Sequence, residues 1–455
     1  MGRIAAPDVW EATNGLLVAA RGPGGLGFER AAIDSRQVQQ GDLFFASKGE
    51  REDGHDFVAQ AISAGASGVV TERPVEIPKS AALFQVSDSV AALQHLAGWW
   101  RQRHDVKVIA VTGSVGKTTC KELIASVLER KYGVLKSVAN LNTEIGIPLT
   151  LLQLTNECER AVVEFGMYAR GDIALLSQIA RPATGVVTNV GPVHLERLGS
   201  MGAIIAAKAE LVEALPEDGL AVLNGDDPRV VAMAGRTRAR VIYYGLSEQC
   251  DVRAGDIQGR GLEGTKFHVT HAGQTVDVTL PLPGKHYVSS ALAAAVVALD
   301  EGLTLAEVAD ALTEVRPYLR SRILPGPNGA TILDDSYNAS PASMIAALEL
   351  LSELPGRRIA LLGDMLELGA AETEGHQRVG ERAATACDLL LTLGRQADSM
   401  AEAARRAGAN DVCSLDSTEA AIETLRRELR EGDHVLIKAS RAMVFEEVVS
   451  ALAAR

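Results

Sequence analysis

A glycine loop between a strand-like run and the start of a helix is the strongest chemical signal in the sequence. The segment reads VIAVTGSVGKTTCKELI, residues 108–124. In such a loop, turned backbone N–H groups and the helix N-terminus bind phosphate, a lysine reaches the terminal phosphates and a threonine hydroxyl can ligate Mg²⁺. The segment therefore predicts a nucleoside triphosphate held by Gly113, Ser114, Val115, Gly116, Lys117, Thr118 and Thr119.

The loop departs from the strict phosphate-loop pattern at one position. Val111 stands where G-x-x-x-x-G-K-[ST] has its first glycine, so the loop has the shorter form G-x-x-G-K-T-T. An ordinary junction of strand, turn and helix is the alternative interpretation. A guanine-reading N-K-x-D motif does not follow the loop, which favours adenine as the base. Kinase, motor or nucleotide-switch activity remains open on the loop alone, because one scaffold hosts many reactions.

Two further side chains follow strand-like runs and could hold a metal beside the phosphates. Glu164 ends the run RAVVE, and His194 lies in TNVGPVHLERLG. A carboxylate at the end of a neighbouring strand can hold Mg²⁺ between protein and phosphates. The alternatives are a solvated carboxylate at the sheet rim for Glu164 and a packing or surface histidine for His194.

The elements that must position these residues alternate between strands and helices. The runs AVVEF, GVVTNVG and LAVLNGDD predict parallel strands around the loop, with KTTCKELIASVLERKYG as the following helix. Before them, LFFAS and FVAQAISAGASGVV predict a small α/β unit, and FHVTH and VDVTLP after them predict a β-rich insertion. Near the end, TILDD, RIALLGD, LLLTLG and HVLIKAS alternate with helices such as PASMIAALELL, STEAAIETLRREL and MVFEEVVSALAA.

The predicted fold class is α/β in three domains, because 455 residues exceed what one hydrophobic core supports. Residues 1–102 form a small N-terminal α/β domain. Residues 103–316 form a central mononucleotide-binding parallel sheet with the phosphate loop and the β-rich insertion, and residues 317–455 form a doubly wound, Rossmann-like domain.

Composition excludes several classes of protein. The 45 basic and 58 acidic residues give a net charge of -13, which disfavours nucleic acid and anionic lipid as partners. The 5 cysteines lack a C-x-x-C pair, so we expect reduced thiols in the cytoplasm and neither disulfides nor structural zinc. Since no signal-like or membrane-length apolar run occurs, we expect a protein that stays in the cell and does not insert into a membrane.

Motifs spread over nearly the whole chain carry a resemblance to a known family. They are residues 34–57 (DSRQVQQGDLFFASKGEREDGHDF), 112–119 (TGSVGKTT), 140–152 (NLNTEIGIPLTLL), 164–167 (EFGM), 188–200 (TNVGPVHLERLGS), 207–211 (AKAEL), 333–341 (LDDSYNASP), 361–369 (LLGDMLELG) and 438–443 (KASRAM). With these motifs the chain resembles the Mur ligases of peptidoglycan synthesis, and DDSYN and GDMLELG favour the MurF type.

The resemblance implies an ATP-dependent ligase that forms a peptide bond and requires Mg²⁺. Its expected substrates are UDP-N-acetylmuramoyl-tripeptide and D-alanyl-D-alanine, joined through an acyl phosphate with release of ADP and phosphate. This would be the last cytoplasmic step of the pentapeptide precursor, carried out by a monomer. A sister Mur ligase that adds the third amino acid and a ligase similar to folylpolyglutamate synthase are the alternatives.

The resemblance also implies roles for individual residues. The catalytic set is Lys117, Lys208 as a carbamylated lysine, and Arg322. ATP would contact the phosphate loop, Tyr287, Arg322 and Asp335, and the metal ligands would be Thr118, Glu164, His194 and Lys208. The nucleotide-linked substrate would contact Ser35, Arg36, Lys48, Arg51, Asn142 and Thr143. Without the resemblance, Lys208 would be a plain surface lysine, and residues 34–36 are equally interpreted as turn formers.

The sequence departs from the family pattern at three places. Residues 286–290 read HYVSS where the family usually has H-N-x-x-N, so we hypothesise that Tyr287 stacks on the adenine base. Residues 321–323 read SRI where Gly-Arg is usual, and KASRAM replaces K-G-S-R-G-M. Each departure retains the basic residue of the motif.

Overall fold

The computed structural model describes residues 4–49, 52–138, 141–193, 195–316 and 321–453. Within these ranges the strands form a two-stranded ribbon and three larger sheets. Each larger sheet lies within one of the three predicted domains, whose exact bounds stay predictions. The described residues contain no helix that is long and apolar enough to cross a membrane.

The first sheet belongs to the N-terminal part of the chain and has the strand order β2-β7-β6-β5-β4. The elements are β1 Ile4–Ala5, α1 Ala6–Ala12, β2 Leu17–Arg21, β3 Gly27–Phe28, β4 Ala31–Ala32, β5 Leu43–Phe45, α2 Val58–Ala64, β6 Gly68–Thr71, β7 Ala82–Val86 and α3 Ser89–Gln102. Asp88 caps α3 by accepting a hydrogen bond from the Ala91 N–H.

Helix α3 joins the N-terminal part to the central sheet. The Trp100 indole donates a hydrogen bond of 3.1 Å to the Leu154 carbonyl, and the Arg101 guanidinium donates one of 3.0 Å to the Ala180 carbonyl. Buried Leu93 and Leu96 of this helix belong to a hydrophobic core that continues without a break from Ile4 into the central domain.

The central sheet carries the phosphate loop at the end of an interior strand, the third from one edge of the sheet. Its elements are β8 Lys107–Thr112, α4 Lys117–Leu128, β9 Val134–Lys136, α5 Gly146–Leu151, β10 Arg160–Glu164, α6 Asp172–Ala180, β11 Thr184–Val187, α7 Leu195–Leu198, α8 Met201–Glu213, β12 Leu220–Asn224, α9 Pro228–Val231, β13 Arg240–Gly245, β14 Val252–Gly259, β15 Thr265–His271, β16 Gln274–Leu280, α10 Tyr287–Asp300 and α11 Leu305–Glu314. The strand order is β16-β15-β14-β13-β12-β11-β8-β10-β9.

The predicted β-rich insertion is part of this same sheet. Strand β14 pairs in parallel with β13, and β15 and β16 then add antiparallel strands at that edge. Because the new strands satisfy the hydrogen bonds of β13, they widen the sheet instead of forming a separate lobe. Strands β9 to β13 are parallel, so the carboxyl ends of β8, β10 and β11 meet at one edge.

The third sheet has the order β17-β18-β22-β19-β20-β21, with only β17 antiparallel to its neighbour. Its elements are β17 Arg322–Pro325, β18 Thr331–Asp334, α12 Pro341–Ser352, β19 Arg358–Gly363, α13 Glu372–Ala386, β20 Leu389–Leu393, α14 Ala397–Arg406, β21 Val412–Leu415, α15 Thr418–Glu428, β22 His434–Lys438 and α16 Glu446–Leu452. Separate apolar clusters cover its two faces, which confirms the doubly wound α/β prediction.

The third domain touches the central domain through an ion pair and an apolar contact. The Lys285 ammonium pairs with the Glu353 carboxylate at 2.6 Å, and Leu262 packs against the core beneath α12. A cavity of about 320 Å³ opens between the two domains beside this ion pair and is lined by His286 and Arg382 among others.

Candidate active site

The phosphate loop requires glycine at two positions. Gly113 follows β8 with φ of 149°, and a Cβ atom there would lie 1.9 Å from the Thr188 hydroxyl oxygen. Gly116 precedes α4 with φ of 83°, in the left-handed region that side chains other than glycine avoid. Larger residues at these two positions would therefore clash or be strained, so the backbone conformation of the loop requires glycine at both.

Asn189 braces the same loop, and the sequence reasoning assigned no role to it. The Val115 N–H donates to Asn189 Oδ1 at 2.9 Å, and Asn189 Nδ2 donates to the Val115 carbonyl at 2.9 Å. The Thr188 hydroxyl donates to that carbonyl at 2.7 Å. The motif TNVGPVHLERLG drew attention to this segment because of its histidine. The sequence does not show that its first two residues contact the phosphate loop.

The segment that carries Asn189 is held in turn from strand β12. The Asn224 amide donates a hydrogen bond of 2.8 Å to the Thr188 carbonyl, and Asp227 accepts one of 2.8 Å from the Val190 N–H. The Gly191 N–H donates to the Ser114 hydroxyl at 2.8 Å. The phosphate loop and residues 188–191 thus form one connected unit. His194, the predicted histidine ligand, lies outside the described residues.

The predicted metal carboxylate lies beside the phosphate-loop helix. Parallel pairing sets Glu164 opposite Val111 at the loop edge of the sheet. The Thr118 hydroxyl donates to Glu164 Oε2 at 2.7 Å, and Asn142 Nδ2 donates to Glu164 Oε1 at 2.8 Å. Glu164 is buried, so the alternative of a solvated rim residue is wrong. The Lys117 ammonium donates to the Gly113 carbonyl at 3.0 Å.

Lys208 is buried on α8 and is 2 % exposed, so it is not a surface lysine. Burial, and secondarily the charge of nearby Lys117, lowers the pKa of Lys208 well below its ordinary value. A hydrogen bond or ion pair at its ammonium is absent among the described residues. A lowered pKa enlarges the neutral fraction of the amine, which is the form that reacts with CO₂.

The described oxygen donors fit Mg²⁺ better than a metal that needs a full set of protein ligands. No group of three or more His, Cys, Asp and Glu side chains converges in the part of the chain that the structure describes. Mg²⁺ prefers oxygen ligands and is commonly held by one or two carboxylates together with water and substrate phosphates. Buried Glu164, with the Thr118 hydroxyl attached, meets that requirement.

The third domain brings Arg322 and Asp335 to the end of β18. The Arg322 guanidinium donates to Asp334 Oδ2 from Nε at 3.1 Å and from Nη2 at 2.7 Å, and its side chain is 57 % exposed. Asp335 accepts a hydrogen bond from the Ser321 hydroxyl at 2.7 Å. The antiparallel pairing of β17 with β18 accounts for this arrangement, because it sets Arg322 opposite Asp334.

Tyr287 begins α10 and faces the third domain. Its ring centroid lies 4.0 Å from that of His286, and its hydroxyl lies near the Ser321 side chain. Burial, then the charge of Asp335, raises the pKa of Tyr287 to about 12. Because the ring is buried in this arrangement, stacking on adenine requires that it be uncovered, and the stacking stays a prediction.

The substrate-contact candidates fall into two groups. Asn142 adjoins Glu164, and Thr143 lines a small pocket with Gly166, Met167, Tyr168 and neighbouring residues. The N-terminal candidates lie in the loops that follow β4 and β5 of the first sheet. Ser35 is buried and donates to Gln60 at 3.0 Å, Lys48 is exposed, and Arg51 lies outside the described residues.

Arg36 and Asp34 form a local pair at the surface. Arg36 Nε donates to Asp34 Oδ1 at 2.9 Å, and the same carboxylate accepts from the Arg36 backbone N–H. This hydrogen bond from the Arg36 side chain lowers the pKa of Asp34 to about 2. The geometry is that of an Asx turn, which favours the turn-forming interpretation for Asp34. The Arg36 side chain stays 80 % exposed and accessible to a ligand.

Three family descriptions match the chain in succession. "Mur ligase family, catalytic domain" matches residues 29–100, "Mur ligase middle domain" matches residues 111–298, and "Mur ligase, glutamate ligase domain" matches residues 319–441. The chain is also similar to curated proteins named UDP-N-acetylmuramoyl-tripeptide--D-alanyl-D-alanine ligase. The one from Synechocystis sp. is 42% identical, covering 92% of this chain and 91% of its own. The one from Escherichia coli is 37% identical, covering 93% of both chains.

Solved structures resemble this fold over most of its length. MurF from Acinetobacter baumannii superposes with a TM-score of 0.89 at 29% identity, covering 99% of this chain and 98% of the other. MurF ligase from Thermotoga maritima in complex with ADP gives a TM-score of 0.81 at 31% identity, covering 93% of this chain and 96% of the other.

Replacing Asn189 by alanine should weaken nucleotide binding. The change leaves the Val115 N–H without its partner, and an unmade buried hydrogen bond costs about 1–3 kcal/mol. We expect ADP affinity, measured by calorimetry, to fall roughly tenfold or more, since 1.4 kcal/mol is tenfold. Asn328→Gly is the control, because it removes an amide hydrogen bond to the Leu429 carbonyl in the third domain. Equal ADP affinity in both variants and the wild type would contradict the role of Asn189.

His286 should make the protein less stable in acid. Desolvation by the atoms around the His286 ring, which lines the cavity between the domains, lowers its pKa from 6.5 to about 4, so between these values the unfolded chain binds more protons than the folded one. Stability is therefore fully present above pH 6.5 and falls as pH drops toward 4, with a shallow slope because the His286 side chain also reaches solvent, which screens the effect. Urea unfolding at pH 7.5, 6.5 and 5.5 measures this slope. His286→Asn should flatten it, exposed His95→Asn should not, and parallel profiles for all three proteins would refute the assignment.

Proposed function

The chain belongs to the Mur ligase family, and from that membership we propose that it is an ATP-dependent ligase that joins D-alanyl-D-alanine to UDP-N-acetylmuramoyl-tripeptide. The observation that carries the proposal is the loop edge of the central sheet, where Lys117 bonds the Gly113 carbonyl and the Thr118 hydroxyl bonds buried Glu164. The relatives with this named activity extend over more than nine-tenths of the chain.

The reaction proceeds by activation of a carboxylate. The terminal carboxylate of the tripeptide attacks the γ-phosphate of ATP, so the bond to the β-phosphate oxygen breaks and ADP leaves. The amine of D-alanyl-D-alanine then attacks the acyl phosphate, loses a proton and displaces inorganic phosphate. A protein nucleophile is not required, and catalysis consists of positioning and charge neutralisation by Lys117 and Arg322.

Thr118, Glu164, His194 and Lys208 would hold Mg²⁺, which supplies positive charge beside the phosphates when it is bound. Asn142 contributes by fixing Glu164, because its amide occupies the carboxylate oxygen opposite the one that Thr118 contacts. Of these residues, Glu164 is the one whose burial and paired hydrogen bonds best match a preorganised ligand.

Carbamylation of Lys208 would convert a buried cation into a ligand for Mg²⁺. The neutral amine attacks CO₂, a C–N bond forms and one proton is released, which leaves a carboxylate on the side chain. Burial and the neighbouring charge of Lys117 favour the neutral amine. They also disfavour an uncompensated ammonium at this place, so the anionic product relieves repulsion from Lys117.

Substrates would bind across all three domains. Ser35, Arg36, Lys48 and Arg51 would contact the UDP end, and Asn142 and Thr143 the muramoyl-peptide side. Tyr287 would contact the adenine base of ATP, and Asp335 would contact its ribose. Because the phosphate loop and Arg322 lie on different domains, approach of the third domain completes the site and excludes water. We further propose that the enzyme acts as a monomer in the cytoplasm.

Release of ADP should depend on both peptide substrates. With UDP-N-acetylmuramoyl-tripeptide alone, turnover should stay low, and D-alanyl-D-alanine should start continuous ADP release in a coupled spectrophotometric assay. Lys117→Ala should lower the rate by at least about 100-fold, since it removes charge stabilisation from the transferring phosphoryl group. Turnover with a single amino acid in place of the dipeptide would indicate a sister ligase. Turnover without either peptide would contradict the ligase proposal.

Lys208 should carry a carbamate that depends on CO₂. In ¹³C-bicarbonate, the wild-type protein should show a carbamate carbonyl resonance that Lys208→Ala lacks, because the alanine has no amine. Removing CO₂ should lower ligase activity, and bicarbonate should restore it. Lys121→Ala serves as the control, because Lys121 is equally buried but pairs with Glu122 at 2.8 Å. A wild-type spectrum without the resonance, together with full activity in CO₂-free buffer, would exclude the modification.

A further inference from the structure

A third buried lysine, Lys438, lies at the end of β22 and contacts the proposed nucleotide residue Asp335. Its ammonium donates to Asp335 Oδ2 at 2.5 Å and to the Asn338 carbonyl at 2.9 Å. The side chain of Lys438 is 2 % exposed, whereas that of Asp335 is 24 % exposed. The pair therefore has a buried cationic end and an accessible anionic end.

The sheet fixes this pair in place. Strands β18 and β22 are parallel neighbours, with Asp334 opposite Ile437, so the residues that follow each strand end emerge together. The Asp335 N–H donates to the Ile437 carbonyl at 3.0 Å, and Ser321 donates to Asp335 Oδ1. Each carboxylate oxygen of Asp335 thus has one donor among the described residues. Since an ionised carboxylate accepts about four hydrogen bonds, acceptor capacity remains for a ligand.

The pair also faces the helix that approaches the phosphate loop. His286 and Tyr287 at the start of α10 are close enough to Asp335 for its charge to act on both. Three residues later on the same helix, the Ser290 hydroxyl lies 3.7 Å from the position of a Cβ on Gly116. Three helical residues span roughly 4.5 Å, so a nucleotide on the loop lies within reach of this cluster.

We infer that Lys438 is a positioning residue that holds Asp335 to accept hydrogen bonds from the ribose hydroxyls of ATP. The inference rests on the proposed contact between Asp335 and the ribose, and adds to it the residue that orients the carboxylate. A buried ammonium whose charge is met by one carboxylate fixes that carboxylate strongly, because separating the two leaves a buried charge unpaired. The accessible part of Asp335 then receives the hydroxyl groups.

The test compares two nucleotides on four proteins. Dissociation constants of ADP and 2′,3′-dideoxy-ADP are measured by calorimetry for the wild type, Asp335→Asn, Lys438→Met and Arg357→Met. The wild type should bind ADP about 10- to 100-fold more tightly than the dideoxy analogue, because hydrogen bonds to a charged group contribute about 1.5–3 kcal/mol. In Lys438→Met, the affinity for ADP should fall to within about threefold of the affinity for the dideoxy analogue. The affinity for the dideoxy analogue itself should not change. Arg357, which pairs with Glu428 at 3.0 Å elsewhere in the domain, is the control for loss of an ion pair.

The outcomes separate the inference from its premise. If the wild type binds both nucleotides equally, the contact between Asp335 and the ribose is wrong. If Asp335→Asn loses the preference for ADP over the dideoxy analogue but Lys438→Met keeps it, the contact between Asp335 and the ribose is supported. The positioning role of Lys438 is then wrong. Equal weakening of both nucleotides in Lys438→Met would mark a merely structural ion pair. If Lys438→Met does not fold, Lys438→Arg takes its place, because arginine keeps the charge but changes the geometry of the donor. An unchanged preference of Lys438→Arg for ADP over the dideoxy analogue would also contradict the inference.

Discussion

The close fit between the phosphate loop and residues 188–191 is the constraint on which the rest of the site depends. Gly113 has room only for a hydrogen atom beside Thr188, and Asn189 bonds both polar groups of the Val115 backbone. Parallel strands β8, β10 and β11 deliver these residues and Glu164 to one edge, and β12 supports them from the side. A change at any of these positions should alter the place where phosphate binds, because residues 188–191 bond the loop at several points.

Buried charge is the second organising feature. Glu164, Lys208 and Lys438 are all inside the protein, yet each lies where a substrate or metal would approach. A buried ion is unfavourable unless a partner compensates it. Lys438 has Asp335, and Glu164 has donors from Thr118 and Asn142. Lys208 has no such partner among the described residues, and burial, with the charge of nearby Lys117 second, lowers its pKa well below the ordinary value.

The sequence predicts the three-domain α/β fold and the phosphate loop because hydrophobic runs and glycine spacing are local signals. It does not predict that β14 to β16 extend the central sheet, since that depends on pairing with β13. Strand β17 and helix α13 escaped notice because an edge strand containing arginine and proline and a polar helix lack the apolar pattern of their neighbours. The helix predicted from Met443 begins at Glu446, because Val444 adopts a left-handed backbone conformation.

The site was predicted unevenly for the same physical reason. Thr118 and Glu164 could be paired because a strand end and a loop have defined places in a parallel sheet. Asn189 and Lys438 could not, because their partners are 74 and 103 residues away along the chain. Tyr287 was assigned to the base from its aromatic character, whereas its contact with Ser321 appears only when two domains meet.

The unbroken apolar core beneath α3 has a mechanical consequence. It joins the N-terminal and central domains through shared buried apolar surface, whereas the third domain meets the central domain through an ion pair, the packing of Leu262 and a cavity. Displacing the third domain would therefore expose less apolar surface than separating the other two. Such a displacement would carry Arg322 and Asp335 relative to the phosphate loop, while the surface proposed for the UDP end would stay with the loop.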